Sequence, residues 1–384
     1  MESGRNATVA IVAVTARALA EAARRSPGFA QARLVGLDWF ADRDLLAAAD
    51  VAEAVPTRRI GGFAERPLLR AVRRLVPERS LLVTGSGFES RLSLLARLAA
   101  DYRLAGNAPA VLARVKDPAQ FFEASVRLGI PHPEIAREVP PNTRGQWLLK
   151  RIGAAGGGHI RWARRAGVVP VRSYAQRRVG GRPVSIAFLS DGAHIEPVGF
   201  TEQWPSSAPG RPFRYGGAAL PAALPRGLAE RMTEWSLRLA REFSLVGLNS
   251  ADFLVDGEQA LLLEVNPRPG GTLDLLDRMR PGLFEAHVEA CFGRLRLPLI
   301  APGPARAACV LYADLGPAVI GIEGWPAWAA DRPHVGSTIP AGGPICTLFG
   351  EGPDAASARA CAQHRAVGIV ERLGAAADLV PTRL

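Results

Sequence analysis

Leu261–Gly271 reads LLLEVNPRPGG. Three leucines in a row predict a buried strand, and the residues that follow place Glu264, Asn266 and Arg268 at every second position. Side chains alternate along a strand, so all three project from one face within ~14 Å. A carboxylate, an amide oxygen and a guanidinium so grouped suit Mg²⁺ and phosphate. Upstream, NSADFLVDG (249 to 257) predicts the hairpin partner, with Asp256-Gly257 as its turn. On that register Asp252 faces Glu264 across the ladder and completes a set of hard oxygen ligands.

Working outward, QWLLKRIGAAGGGHIRW (146 to 162) predicts strand, glycine loop, strand. Lys150 ends the apolar run, and Gly156, Gly157 and Gly158 let backbone N–H groups approach phosphate closely. YAQRRVGGRPVSIAFLSDG (174 to 192) predicts two strands about a Gly-Gly turn. TEQWPSSAPGRPFRYGG (201 to 217) is polar and rich in Pro and Gly. Its length predicts a mobile lid whose Arg211, Arg214 and Tyr215 meet an anionic substrate. An amphipathic helix is expected over 225–244 and another over 272–291. A helix after Asp117 takes Pro118 at its first position.

Of the 47 basic residues, only Lys116 and Lys150 are lysines. A drift toward Arg leaves Lys where a guanidinium fork cannot replace a compact ammonium. Both are therefore expected at the site.

DFLVDG followed by LEVNPR resembles the metal-binding signature of the ATP-grasp superfamily. The resemblance implies that Asp252, Glu264 and Asn266 hold one or two Mg²⁺ ions (Mn²⁺ able to substitute) against ATP. It implies that Arg268 steadies the transferred phosphoryl group, with Lys150 as the second catalytic residue. Lys116, Lys150 and Gly156–Gly158 would contact the nucleotide, and Gln176, Arg178 and Val179 its adenine. Two positions depart from the family pattern: Pro118 stands where a Lys is common, and Arg177 where a Glu is.

The same resemblance implies an α/β and α+β chain in three parts. Residues 1–110 would form a parallel α/β pre-ATP-grasp domain. Residues 111–300 would form the two-subdomain ATP-grasp fold, with the glycine loop at about 150–160 and the metal hairpin at 246–268. Residues 301–384 would form a small β-rich C-terminal lobe similar to that of biotin-carboxylase-like enzymes. The first part alternates strands (7 to 14, 33 to 40, 81 to 85) with helices (65 to 76, 88 to 100), as a parallel sheet requires. Its GSGFES (85 to 90) lacks the third glycine of a dinucleotide fingerprint and reads as a tight turn into a helix.

The implied activity is amide formation between a small carboxylate and an amine through an acyl phosphate. GSGFE, FRYGG and DRP-x-x-G-[ST] loosely resemble ligases of the methanofuran and tetrahydromethanopterin gene neighbourhoods, with tyrosine or tyramine and glutamate as substrates. A non-catalytic ATP-binding module and a basic nucleic-acid-binding protein are the alternatives. The net charge of +11 is spread through the chain without a Lys/Arg block or aromatic interleaving, which disfavours nucleic acid. No apolar run of membrane-spanning length occurs, and the N-terminus lacks the pattern of an export signal. The four cysteines are far apart and show no metal spacing, and neither do the six histidines. A cytoplasmic protein acting on small molecules, without membrane or nucleic acid and with room for a homodimer, is the expectation.

Overall fold

The computed structural model describes residues 7–57, 62–143 and 145–377. The first unit is a five-stranded parallel sheet in the order Val51–Ala54, Arg33–Asp38, Thr8–Val12, Leu81–Thr84, Arg103–Ala105. Helices Arg17–Arg25, Arg43–Ala48, Glu65–Leu75 and Leu92–Asp101 connect the strands. Covered on both faces, the central strand buries four successive residues, Val9 to Val12, with no polar alternation. Strand Leu81–Thr84 ends on the turn at Gly85–Ser90, at the carboxyl edge where such sheets meet ligands.

The expected helix after Asp117 is present as Pro118–Arg127, and the Asp117 side chain accepts from the backbone of Ala119 (2.9 Å) and Gln120 (3.1 Å). The chain then builds a four-stranded sheet in the order Ile135–Ala136, Ser173–Arg177, Trp147–Arg151, Arg161–Trp162. An eight-stranded sheet follows: Gln259–Asn266, Val246–Asp256, Arg182–Asp191, Ile195–Pro205, Tyr215–Leu220, Ala305–Tyr312, Pro344–Gly352, Ala329–Ala330. Thus the two strands of 174–192 belong to different sheets, and residues 178–181 cross between them. The C-terminal lobe is β-rich as expected, and its strands extend this same sheet. Helix Ala355–Ala377 lies on its face.

Helix Arg226–Phe243 buries Leu228, Met232, Leu239 and Phe243, the stripe that an amphipathic pattern predicts. They pack with Ile186, Phe188, Phe253 and Leu262 behind the hairpin that carries Asp252 and Glu264. The single helix expected over 272–291 is two helices, Leu273–Met279 and Leu283–Cys291. Pro281 cannot continue the first, and Gly282, at φ +97°, turns the chain into the second. Residues 201–217 also differ from the expected lid. Thr201–Pro205 and Tyr215–Gly217 are sheet strands, and only the short connection between them is loop.

Candidate active site

In the hairpin Val246–Asp256/Gln259–Asn266, Asp252 lies directly opposite Glu264, as alternation predicts. Beyond that pair the register slips, with Phe253 opposite Leu262, so Leu263 is an extra residue. Such a bulge turns the strand, and both Leu263 and Glu264 line one cleft. Ser185 Oγ, on the neighbouring strand, donates to Asp252 Oδ1 (2.6 Å), and Asn266 Nδ2 donates to Asp252 Oδ2 (2.9 Å).

Both lysines enter the same cleft. Lys116 Nζ stands 3.3 Å from Asn266 Oδ1 and 3.6 Å from Glu264 Oε2. Lys150, 7% exposed, donates to Gln176 Oε1 at 2.9 Å. Burial works against charge throughout the cleft. It raises the Asp252 carboxyl above its ordinary range, and Glu264 opposite adds to the rise. Burial would raise Glu264 as well, but Lys116 and Lys150 outweigh it and hold that carboxyl low. Lys150 is lowered by burial, against the attraction of Glu264 and Asp252.

Among the described residues no group of three or more His, Cys, Asp or Glu side chains forms a metal cage. Two carboxylates and an amide oxygen suit a cation that keeps waters and takes phosphate ligands, as Mg²⁺ does. The raised Asp252 carboxyl fits this assignment, because a divalent cation would supply the missing counter-charge.

The glycine loop between Trp147–Arg151 and Arg161–Trp162 closes over the cleft. Gly156 O accepts from Tyr215 N (2.9 Å), and the Trp162 and Phe213 rings lie 5.7 Å apart. Gly157, at φ +67°, rests so close on the Phe213 carbonyl that a Cβ would collide with it. Gly153 likewise abuts the backbone of Glu89 and Ser90. Gly158 N donates to Gly156 O (2.8 Å), which leaves a tight turn leading into His159.

Arg268 is joined to the N-terminal unit. Its Nε donates to Glu89 Oε1, and Gly87 N donates to Glu89 Oε2 (2.9 Å). Burial would raise the Glu89 carboxyl, but Arg268 and Lys116 hold it well below the usual range. A second cleft lies there, lined by Thr84, Gly85, Glu89, Asn107, Pro267 and Arg268 among others. At the crossover to the large sheet, Arg178 is exposed and Val179 half-buried, and Arg178 N already donates to Gln146 O (2.7 Å). The Arg178 carbonyl and the Val179 backbone are the remaining groups there for an adenine edge.

Arg214, expected on an exposed lid, is 4% exposed. Its fork grips Asp314 at 2.9 and 2.7 Å, its Nε donates to Ser206 O (3.0 Å), and it stacks 3.6 Å over the Tyr312 ring. Arg211 donates to Gly342 O at 3.1 Å. Both arginines thus tie the connection after Pro205 to the C-terminal lobe. The third member of that set, Tyr215, keeps a buried hydroxyl with no partner. Its ring lies 3.9 Å from where a Cβ on Gly271 would stand.

Glu89 and Tyr174 were not singled out from sequence, and neither was His159. His159 lines the first cleft with Lys116, Lys150, Tyr174 and Glu264. Burial pushes its imidazole down to about 4, against the pull of Glu264. Its place after three glycines, the first side chain of the loop's return, was the available signal.

Residues 116–272 match the model of a family described as an ATP-grasp domain. Over 237 residues the chain is 25% identical to the carbamoyl phosphate synthase large chain of Rubrobacter xylanophilus, covering 55% of this chain and 22% of that one. The chain thus spans only about a fifth of that relative's length. Biotin carboxylase from Campylobacter jejuni, solved as a β,γ-ATP complex, superposes with a TM-score of 0.69 at 15% identity, covering 91% of this chain and 89% of that one. N5-carboxyaminoimidazole ribonucleotide synthetase from Thermotoga maritima gives 0.66 at 14% identity, with 94% and 98% covered.

Proposed function

We propose that this chain, whose residues 116–272 match an ATP-grasp domain, is a ligase joining a small carboxylate to an amine at the expense of ATP. The observation that carries the reading is the meeting of Asp252, Glu264, Asn266, Lys116 and Lys150 in one cleft beneath the glycine loop. Mg²⁺, or Mn²⁺ in its place, would be held by Asp252, Glu264 and Asn266 and would neutralise the phosphates.

The chain's own residues supply position and charge. Lys150 and Lys116 place two ammonium groups along the phosphate tail. The glycine loop excludes water and offers the backbone N–H groups of Gly156 and Gly157, while that of Gly158 closes the turn on Gly156 O. Adenine lies against the crossover at Gln176, Arg178 and Val179. A carboxylate oxygen of the substrate attacks the γ-phosphorus while the bond to the ADP oxygen breaks, and an acyl phosphate forms. The amine nitrogen then attacks the acyl carbon, phosphate leaves, and the nitrogen gives up a proton.

Arg268 lines the second cleft and its charge acts on Asp252 and Glu264, so it would meet both the phosphoryl group and a carboxylate bound beside Thr84 and Asn107. Tyr215, with its free hydroxyl, remains a substrate contact in this reading. Arg211 and Arg214 act on substrate only through the wall they build. The finer assignment, a tyrosine- or tyramine–glutamate type ligase in cofactor biosynthesis, rests on the sequence motifs, and a homodimer is the expected assembly.

The test is a screen for ADP release with pooled carboxylates, with and without amines, and with hydroxylamine to trap the acyl phosphate. ADP formation that needs a carboxylate, together with a hydroxamate product, supports the reading. A folded chain that neither binds Mg·ATP nor releases ADP under any pool overturns it.

A further inference from the structure

From Arg137 to Arg178 the chain has ten basic residues and one acidic, Glu138, whereas the whole chain has 47 and 36. Most of the net charge of +11 thus gathers in one stretch, although no block of consecutive basic residues announces it. The cleft does not account for this charge. Directly opposed residues of a sheet share a face, so Lys150 and Tyr174 point into the cleft while Leu149 and Ala175 point away from it. That outward face is covered by Val139 and Val169, which belong to a small ribbon pairing Glu138–Val139 with Gly167–Val168.

On the solvent side of the ribbon, RRAGVVPVR (164 to 172) exposes Arg164, Arg165 and Arg172 together with Val168 (78% exposed) and Val171 (93%). Arg137, also exposed, adjoins them, since its carbonyl accepts from Val169 N (3.1 Å). Exposed arginines elsewhere meet carboxylates, as Arg73 meets Asp101 (3.2 Å) and Arg226 meets Glu230 (2.8 Å). Among the described residues these four arginines meet none. Like charges left unscreened around exposed aliphatic side chains favour an anionic partner that also covers apolar surface.

Two features choose among such partners. The apolar side chains here are aliphatic, and Trp162 lies on the cleft side of the sheet against Phe213 (5.7 Å), so no ring is offered to a stacked base. The strand Gly167–Val168 pairs on one side only, and its other edge is open. An open edge accepts an extended polypeptide, which neither a nucleic acid nor a bilayer supplies.

We propose that this ribbon is a docking surface for an acidic protein segment. The segment adds in extended form along Gly167–Val168, sets aliphatic side chains on Val168 and Val171, and meets Arg137, Arg164, Arg165 and Arg172 with carboxylates. The surface lies outside the cleft, so the inference does not depend on the ligase reading.

Fluorescence anisotropy on the full chain tests it with a labelled peptide of alternating Glu and Val. Labelled oligodeoxythymidine and co-sedimentation with phosphatidylserine vesicles serve as the rival polyanions. The peptide should bind saturably at low salt, more tightly than either rival. Arg164→Glu/Arg165→Glu/Arg172→Glu should weaken it by about tenfold or more, the loss of three surface charge contacts. Val168→Ser/Val171→Ser should weaken it by a few fold with the charges kept. Thermal melts of both variants should match the unaltered chain, because the altered side chains are exposed.

A lack of saturable peptide binding in the unaltered chain overturns the proposal, as does equal affinity in the triple charge variant. Peptide affinity that ignores the valine exchange would leave charge attraction alone and overturns the docked strand. Tighter binding of oligodeoxythymidine or of the vesicles, lost in the charge variant, overturns it in favour of that polyanion.

Discussion

Lys116 Nζ reaches Asn266 Oδ1 at 3.3 Å although 150 positions separate the two residues. With Glu264 Oε2 at 3.6 Å, the ammonium faces two of the three groups proposed to hold Mg²⁺. Lys116→Ala should therefore weaken Mg·ATP binding by about tenfold or more, because a buried charge partner is lost. Titration calorimetry at fixed Mg²⁺ checks this. An unchanged affinity would make Lys116 a neighbour of the site and not a part of it.

Glu264 carries the other half of that relationship. Glu264→Gln keeps the shape of the side chain and removes a charged hard ligand. Turnover should fall by about two orders of magnitude or more with the fold intact. ADP release measured alongside a thermal melt decides the point. Near-normal turnover in a folded variant would remove Glu264 from the metal set.

Lys150 is buried, and among the described residues its hydrogen-bond partner is Gln176 Oε1 at 2.9 Å. An arginine brings a planar fork and more volume into that closed space. Lys150→Arg should weaken Mg·ATP binding although charge is kept, while the same exchange reversed at exposed Arg226 should be silent. Calorimetry on both variants separates the two outcomes. Unchanged affinity in Lys150→Arg and Lys150→Ala would make its survival as one of two lysines a coincidence.

How much of this was legible follows from range. The facing of Asp252 and Glu264 was legible because a period of two and a short turn fix a hairpin's register. The cap at Asp117 was legible because it involves neighbours in sequence. The partition of 174–192 between two sheets was not, since the Gly-Gly turn is the same whether or not its strands pair. The salt link from Arg214 to Asp314 spans 100 positions, and no local pattern announces such a pair. His159 escaped notice because histidines were weighed for metal spacing, and burial inside a loop leaves no periodicity.

Asp42 gives a prediction about pH. It caps helix Arg43–Ala48, with Oδ1 accepting from Asp44 N and Leu45 N, while Oδ2 is buried without a partner. Burial, and then Asp331, push its carboxyl from 3.8 to about 7. The folded chain thus binds this proton more tightly than the unfolded chain does. The group's contribution to stability is whole below pH ~4 and is lost as pH rises through about 7. Asp42→Asn keeps the cap and cannot ionise, so its effect on stability should be small near pH 4 and shift toward stabilisation by about 1–3 kcal/mol on going to pH 8. Denaturant titrations at the two pH values check this, and an equal effect at both would assign the unpaired oxygen no charge at neutral pH.

The last prediction turns on Arg214, which sequence placed on a mobile lid and the fold places in a wall. A residue on an exposed loop contributes little to stability. Arg214 instead is 4% exposed, grips Asp314 with both arms of its fork, and covers the Tyr312 ring. Removing it strands Ser206 O, unpairs Asp314 and opens the seam between the connection after Pro205 and the C-terminal lobe. The Asp314 side chain is 42% exposed, so water recovers part of the lost charge interaction. A cost of about 1–3 kcal/mol follows from the broken hydrogen bonds and stacking together. Arg214→Ala should lower the melting temperature by a few degrees, and Arg214→Lys should recover only part of it, since an ammonium cannot fill the fork. The glycine loop leans on this same connection through Gly156 on Tyr215 and Gly157 on Phe213. The affinity for Mg·ATP should therefore weaken along with stability, which a clamp for the carboxylate substrate alone would not cause. Calorimetric melting and Mg·ATP titration of Arg214→Ala decide between the two. An unchanged melt with a raised KM for the carboxylate alone would restore the lid and make Arg214 its clamp.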